Sequence, residues 1–200
     1  MAAMATATIE LTGDRVEPPD VVAVARDGVP ARLSDEARTA MAESAAVVER
    51  LAASEEPVYG VSTGFGSLAA TWIPPERREE LQRALIRSHA AGMGRPVERE
   101  VVRAMMFLRA RSLAMGRSGV RPVVADTMLA LLAAGLDPVV PEHGSLGASG
   151  DLAPLAHCGL ALIGGPIPAA CERIRARWSS SRRSGGIQVA ASEPNPVDTP

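Results

Sequence analysis

Three short stretches hold the residues whose types and spacing could do chemistry. The first, GSLGASGDLAPLAH at 144 to 157, crowds small residues around Ser149 and sets them against Asp151. A serine nucleophile elbow needs glycine two positions before and two after the serine; Gly147 satisfies the first requirement and Asp151 breaks the second. His143, His157 and Cys158 suggest a metal cluster but share no helical face with a second ligand pair, so packed or exposed histidines are the better reading. The second stretch, PVYGVSTGFGSLA, contains Gly64-x-Gly66-x-x-Ala69, a superficial match to a phosphate-cradling fingerprint. That fingerprint must open a helix inside a βαβ unit, and Thr71-Trp72-Ile73-Pro74-Pro75 interrupts any such helix. A glycine-rich surface loop between a strand and a helix fits better, although it leaves Tyr59, the single tyrosine, unexplained. The third stretch, RSHAAGMG at 87 to 94, carries His89, which taken alone reads as a cationic partner for a helix C-terminus.

The elements that must position these residues are mostly helical. After a strand-like TATIEL, small and apolar residues recur at Ala37, Met41, Ala45, Val48 and Leu51, the spacing of an amphipathic helix with Ser34 as its N-cap. A second helix is expected to start near Pro75, where a missing amide hydrogen costs nothing, and to stop at Gly92 with His89 in its last turn. A third covers about Val97 to Met115, and a fourth about Pro122 to Ala134, closed by Gly135 and Pro138. Residues 136 to 148 read as an irregular connection. From Ser149 onward, Leu152, Leu155, Ala156, Gly159, Leu160 and Ile163 predict a last helix with Pro154 tolerated in its first turn. That reading puts the small-residue cluster at a helix N-terminus, where unpaired amides would stabilise developing negative charge. No internal repeat is visible.

Composition narrows the classes of partner. The chain has 200 residues, 46% of them hydrophobic, and a formal charge of −2, which gives no basic surface for nucleic acid or an anionic membrane. Cys158 and Cys171 form no disulfide framework and no metal spacing. The N-terminus lacks the pattern of an export signal, and no run reaches the roughly 18 apolar residues of a membrane span. A reduced, cytoplasmic protein is expected. Beyond Gly164 the sequence turns rich in Arg, Ser and Pro without an apolar period, and reads as a loose or disordered tail over 165–200.

Taken together, YGVSTGFG at 59 to 66, RSHAAGMG at 87 to 94 and GSLGASGDLAPLAH at 144 to 157 closely resemble the aromatic amino acid ammonia-lyase family in motif order and separation, over about residues 20 to 164. The histidine-acting members are the most similar. The resemblance implies a mainly α, L-aspartase-like helical fold, with 1–164 as its N-terminal, tripeptide-bearing segment ahead of the family's central bundle. It implies that Ala148, Ser149 and Gly150 cyclise to 4-methylidene-imidazol-5-one (MIO), a strong electrophile, with no metal or nucleotide. Closure brings the Gly150 nitrogen onto the Ala148 carbonyl carbon, an approach that small residues permit. Asp151 matches the acid thought to assist that cyclisation, and a helix N-terminus would stabilise the ring oxygen.

By the same resemblance Tyr59 is the catalytic tyrosine, a candidate base for the β-proton, and His89 contacts the substrate ring. L-histidine, converted to urocanate and ammonia in histidine degradation, is then favoured over tyrosine, with phenylalanine last. Ser62 replaces the Asn or Thr of many relatives with another small polar side chain. The family forms homotetramers whose later segments bind the substrate carboxylate and amino groups. Those segments and the central bundle are missing from this chain, and the tail has the look of a frame-shifted reading. The expectation is therefore a truncated lyase, or alternatively a non-catalytic remnant whose uncovered apolar faces make it dependent on a partner.

Overall fold

Pro75, Pro122 and Pro154 each stand in the first turn of a helix, where the absent amide hydrogen sacrifices no bond and the fixed φ is already helical. The computed structural model describes residues 8–164, which lie within one compact unit. The tail expected over 165–200 lies outside the described residues. Strand β1 (Ile9–Leu11) pairs in parallel with β2 (Ala31–Leu33), and between them run a short helix, α1 (Pro18–Val22), and a π-helical turn over Ala23–Asp27. Neither α1 nor that turn is marked by the sequence periodicity, because each is too short to complete an apolar stripe.

Helix α2 (Asp35–Ala53) begins where expected. The Ser34 hydroxyl accepts the Ala37 N–H at 3.1 Å, and Asp35 and Glu36 occupy the first turn, a favourable placement of negative charge against the helix dipole. Its buried face is Ala37, Met41 and Ala45; Val48 is half-buried and Leu51 is exposed, so the stripe drifts out of the core toward the C-terminus. Helices α3 (Pro75–His89), α4 (Arg99–Ala114) and α5 (Pro122–Ala133) follow the expected order. The core sits between α4 and α5, with Val102, Met106, Phe107, Ala110 and Leu113 from one and Ala125, Met128, Leu129 and Leu132 from the other. Phe107 is fully buried; truncating such a side chain to alanine costs about 3–5 kcal/mol.

A charged residue crosses this apolar layer. Arg103 of α4 is buried and spends its guanidinium on the carbonyls of Val24, Ala25 and Leu132 and on the Asp137 carboxylate, at 2.8–3.1 Å. Asp137 also pairs with Arg99. With its donors matched to fixed acceptors, the buried charge avoids the desolvation penalty of an unpaired one, and it ties the Ala23–Asp27 turn and the segment after α5 to α4.

That segment departs from the expected irregular connection. Pro141–His143 forms β4, antiparallel to β3 (Met93–Pro96) with Met93 opposite His143. Next comes a two-residue hairpin, β5 (Leu146–Gly147) with β6 (Gly150–Asp151). The last helix, α6, covers Ala153–Leu162 rather than starting at Ser149. Gly150 holds φ at +83°, a left-handed step that no right-handed helix contains. The cluster of small residues is therefore a hairpin turn ahead of the helix, not the helix N-terminus itself.

Candidate active site

Gly147 pairs with Gly150 across the hairpin, which leaves Ala148 and Ser149 as the two loop residues. Both keep negative φ, and the left-handed conformation falls on Gly150, the residue that adopts it without a Cβ penalty. A side chain built on Gly147 or Gly150 would meet nothing within 4 Å, and Ala148 and Ser149 are exposed. The tripeptide therefore stands at the tip of a narrow ribbon with free space around its backbone.

Asp151 anchors the base of that ribbon. Its Oδ1 accepts the N–H of Ser145 at 3.2 Å and the N–H of Ala153 at 3.0 Å. One carboxylate thus fastens the strand entering the hairpin to the first turn of α6, and it satisfies an amide that the helix start leaves unpaired. The acid, not the tripeptide, takes the favourable position at the helix N-terminus. The Ala153 N–H at the helix start is thus spent on Asp151, and the tripeptide lies ahead of the helix in the hairpin.

His89 lies in the last turn of α3, as expected from the sequence, although the helix ends there and not at Gly92. Its Nδ1 lies 2.8 Å from the Leu85 carbonyl and can bond an oxygen acceptor only by donating, which fixes the proton on Nδ1 in the neutral ring and leaves Nε2 as an acceptor. The end of α3 is held to the hairpin neighbourhood in three ways. Strand β3 pairs with β4; the Gly92 N–H donates to His157 Nε2 at 3.1 Å; and α3 packs on α6, where Gly159 closes on Ile86. His157 is thus a packed histidine of α6, and burial pushes its pKa down. His143 is exposed beside Glu142. Among the described residues no group of three His, Cys, Asp or Glu side chains could hold a metal.

Tyr59 lies apart from this cluster in its bonding. It is 61% exposed, its hydroxyl accepts the Gly66 N–H at 3.3 Å, and its ring meets Phe65 edge to face at 5.7 Å. Among the described residues no hydrogen bond or strand pair joins its loop to the hairpin or to His89. The loop runs from α2 to α3, not from a strand to a helix; after Gly66 its one helical turn is 3₁₀, Gly66–Leu68, and an antiparallel bridge joins Thr63 to Trp72. Ser62 is its buried pin: Oγ accepts the Val58 N–H at 2.8 Å and donates to the Glu56 carbonyl at 3.3 Å. Arg78 braces the far side, donating to the carbonyls of Ala52 and Ile73 while lying over the Trp72 ring. Sequence reasoning missed Arg78 and Gly92, since an arginine facing carbonyls and a glycine needed for close approach leave no periodic signal.

A helical layer carrying an Ala-Ser-Gly hairpin beside a histidine-tipped helix defines the class: the chain belongs to the aromatic amino acid lyase family, whose match covers residues 16–182. The match runs past Gly164, farther than the motifs alone carry the resemblance. Over 145 residues the chain is 62% identical to the histidine ammonia-lyase of Streptomyces coelicolor, covering 72% of this chain and 28% of that relative. It is 46% identical over 159 residues to the histidine ammonia-lyase of Streptococcus pyogenes, covering 80% and 31%. Among solved structures, the histidine ammonia-lyase of Trypanosoma cruzi superposes with a TM-score of 0.71 at 36% identity, over 79% of this chain and 30% of that one. A tyrosine aminomutase from Streptomyces globisporus superposes with a TM-score of 0.78 at 31% identity, over 86% and 34%. The chain spans about 28–31% of the length of these curated relatives.

Proposed function

We propose that this chain is the tripeptide-bearing segment of an MIO-dependent ammonia-lyase that converts L-histidine to urocanate and ammonia, a cytoplasmic enzyme assembled as a homotetramer. The observation that carries the reading is the Ala148-Ser149-Gly150 hairpin tip, in a chain 62% identical to a histidine ammonia-lyase over 145 residues. The residues fit the group. The left-handed φ of Gly150 and the absence of neighbours where its Cβ would stand support the reading that its nitrogen can turn onto the Ala148 carbonyl carbon. Loss of two waters, one from that carbon and one from Ser149, would complete the ring. Once formed, the group supplies an electrophile for the amino acid. Asp151 would hold the hairpin base while the tip closes, and His89 would offer Nε2 to an N–H of a substrate imidazole. Tyr59, exposed and lightly bonded, is the residue proposed to take the β-proton.

A second reading, a chain without turnover of its own, is favoured by the exposure of Tyr59 at 61% and of Leu146 at 82%, which leaves a substrate little shelter from water. Intact-mass measurement tests the cofactor: a deficit of two waters that disappears in Ser149→Ala supports it, and a full mass in the unaltered chain refutes it. Urocanate formation from L-histidine, absent in Ser149→Ala, would then separate the two readings. L-tyrosine in the same assay checks the competing substrate that His89 also suits.

A further inference from the structure

The Gly92–His157 contact joins two of the three motifs across 65 positions of sequence, and neither residue has a part in the reading above. A side chain at Gly92 would be crowded: a Cβ there would lie 3.0 Å from His157 Nε2 and 3.1 Å from Pro141 Cβ and Cδ. Three segments therefore converge on Gly92. They are α6 through His157, β4 through Pro141, and the turn that leaves α3 three residues after His89. A nitrogen that accepts an N–H carries no proton, so the imidazole there is neutral with its proton on Nδ1. Burial, which disfavours the charged form, keeps it in that acceptor state.

We infer that His157 is a positioning residue: by accepting the Gly92 N–H it sets the place of His89 relative to the Ala148-Ser149-Gly150 hairpin. The inference rests on the proposed role of His89 as the substrate-ring contact, while the geometric link itself does not. Pro141 and His157 flank the hairpin on its two sides in sequence, so Gly92 is crowded by Pro141 from before the tripeptide and bonded by His157 from after it. Losing the acceptor strands the Gly92 N–H in a half-buried place where its only alternative partner is water. The end of α3 is then held by packing and by a β3–β4 ladder whose register is already irregular.

The test uses the whole chain, uniformly labelled with nitrogen-15 and observed by NMR. Its three histidines are His89, His143 and His157. In the unaltered protein, the His157 ring is expected as the Nδ1–H tautomer with an unprotonated Nε2. In His157→Leu, Gly92 amide exchange should speed up by roughly fivefold, the loss of about one hydrogen bond. The His89 and His143 ring signals should shift while the Trp72 indole stays in place. In His157→Gln, whose carboxamide oxygen can accept the same N–H, both effects should largely revert. Unchanged Gly92 exchange in His157→Leu, or no recovery in His157→Gln, overturns the inference, as does an Nε2–H tautomer in the unaltered protein, which needs no variant to fold. Intact mass on the same samples keeps the two ideas apart: a chain without the two-water deficit removes the cofactor reading and leaves the link between His157 and Gly92 standing.

Discussion

The Asp151 carboxylate occupies the space that a side chain at Gly144 would need: a Cβ there would overlap both of its oxygens. Gly144 is therefore glycine for proximity to an acid, and its backbone needs no left-handed conformation. Gly144→Ala should push the carboxylate off the N–H groups of Ser145 and Ala153 and loosen the hairpin base. We expect a loss of about 1–3 kcal/mol in denaturant unfolding and a smaller fraction of chains with the two-water deficit in intact mass. An alanine variant as stable and as fully dehydrated as its parent would mean that the carboxylate does not brace the hairpin.

Tyr59→Phe separates chemistry from stability. The hydroxyl makes one long contact at an exposed site, and the edge-to-face packing on Phe65 survives the change. Unfolding free energy should move by less than about 0.5 kcal/mol, with ring formation unaffected, while any urocanate production falls steeply. A large stability loss in denaturant titration would show instead that the hydroxyl holds the loop.

Arg103→Leu should be severe. It leaves the carbonyls of Val24, Ala25 and Leu132 without their donor and strips Asp137 of one of its two cations. Breaking a buried pair in this way costs about 3–5 kcal/mol. A denaturation midpoint within error of the unaltered chain would contradict the packing of α4 against the Ala23–Asp27 turn.

Stability should fall at both ends of the pH scale, for opposite reasons on adjacent residues. His157 has its pKa held below the ordinary 6.5 by burial. As pH drops below 6.5 the unfolded chain takes up a proton before the folded one, so His157 contributes stability above that pH, and this is lost as pH falls through the folded value. Cys158 is buried and its thiol is pushed from 9.0 up to about 11. Its contribution is complete below pH 9 and lost as pH rises toward 11, to a total of about 3 kcal/mol. Denaturant midpoints across pH should lose the acid slope in His157→Gln and the alkaline slope in Cys158→Ala. A slope that persists in its variant belongs to another group.

The sequence by itself determined the order of the five longer helices, α2 to α6, and the residues at issue. Ser34 as an N-cap, the prolines at 75, 122 and 154, and the Met41, Ala45 spacing are local signals, because a helix is built from bonds four residues apart. Motif order marked Tyr59, His89 and the tripeptide for the same reason, as short strings readable in place. What only the tertiary structure decided is where those strings stand relative to one another. An apolar period continuing through Ser149 carries no notice that Gly150 turns left-handed, so the tripeptide moved from a helix end to a hairpin tip. Gly92 reads as a helix stop until Pro141 and His157 close on it, and nothing in the sequence singles out Arg103, which three carbonyls from two other segments surround. Contacts formed across tens of residues depend on which surfaces pack together, and a period of 3.6 cannot encode that.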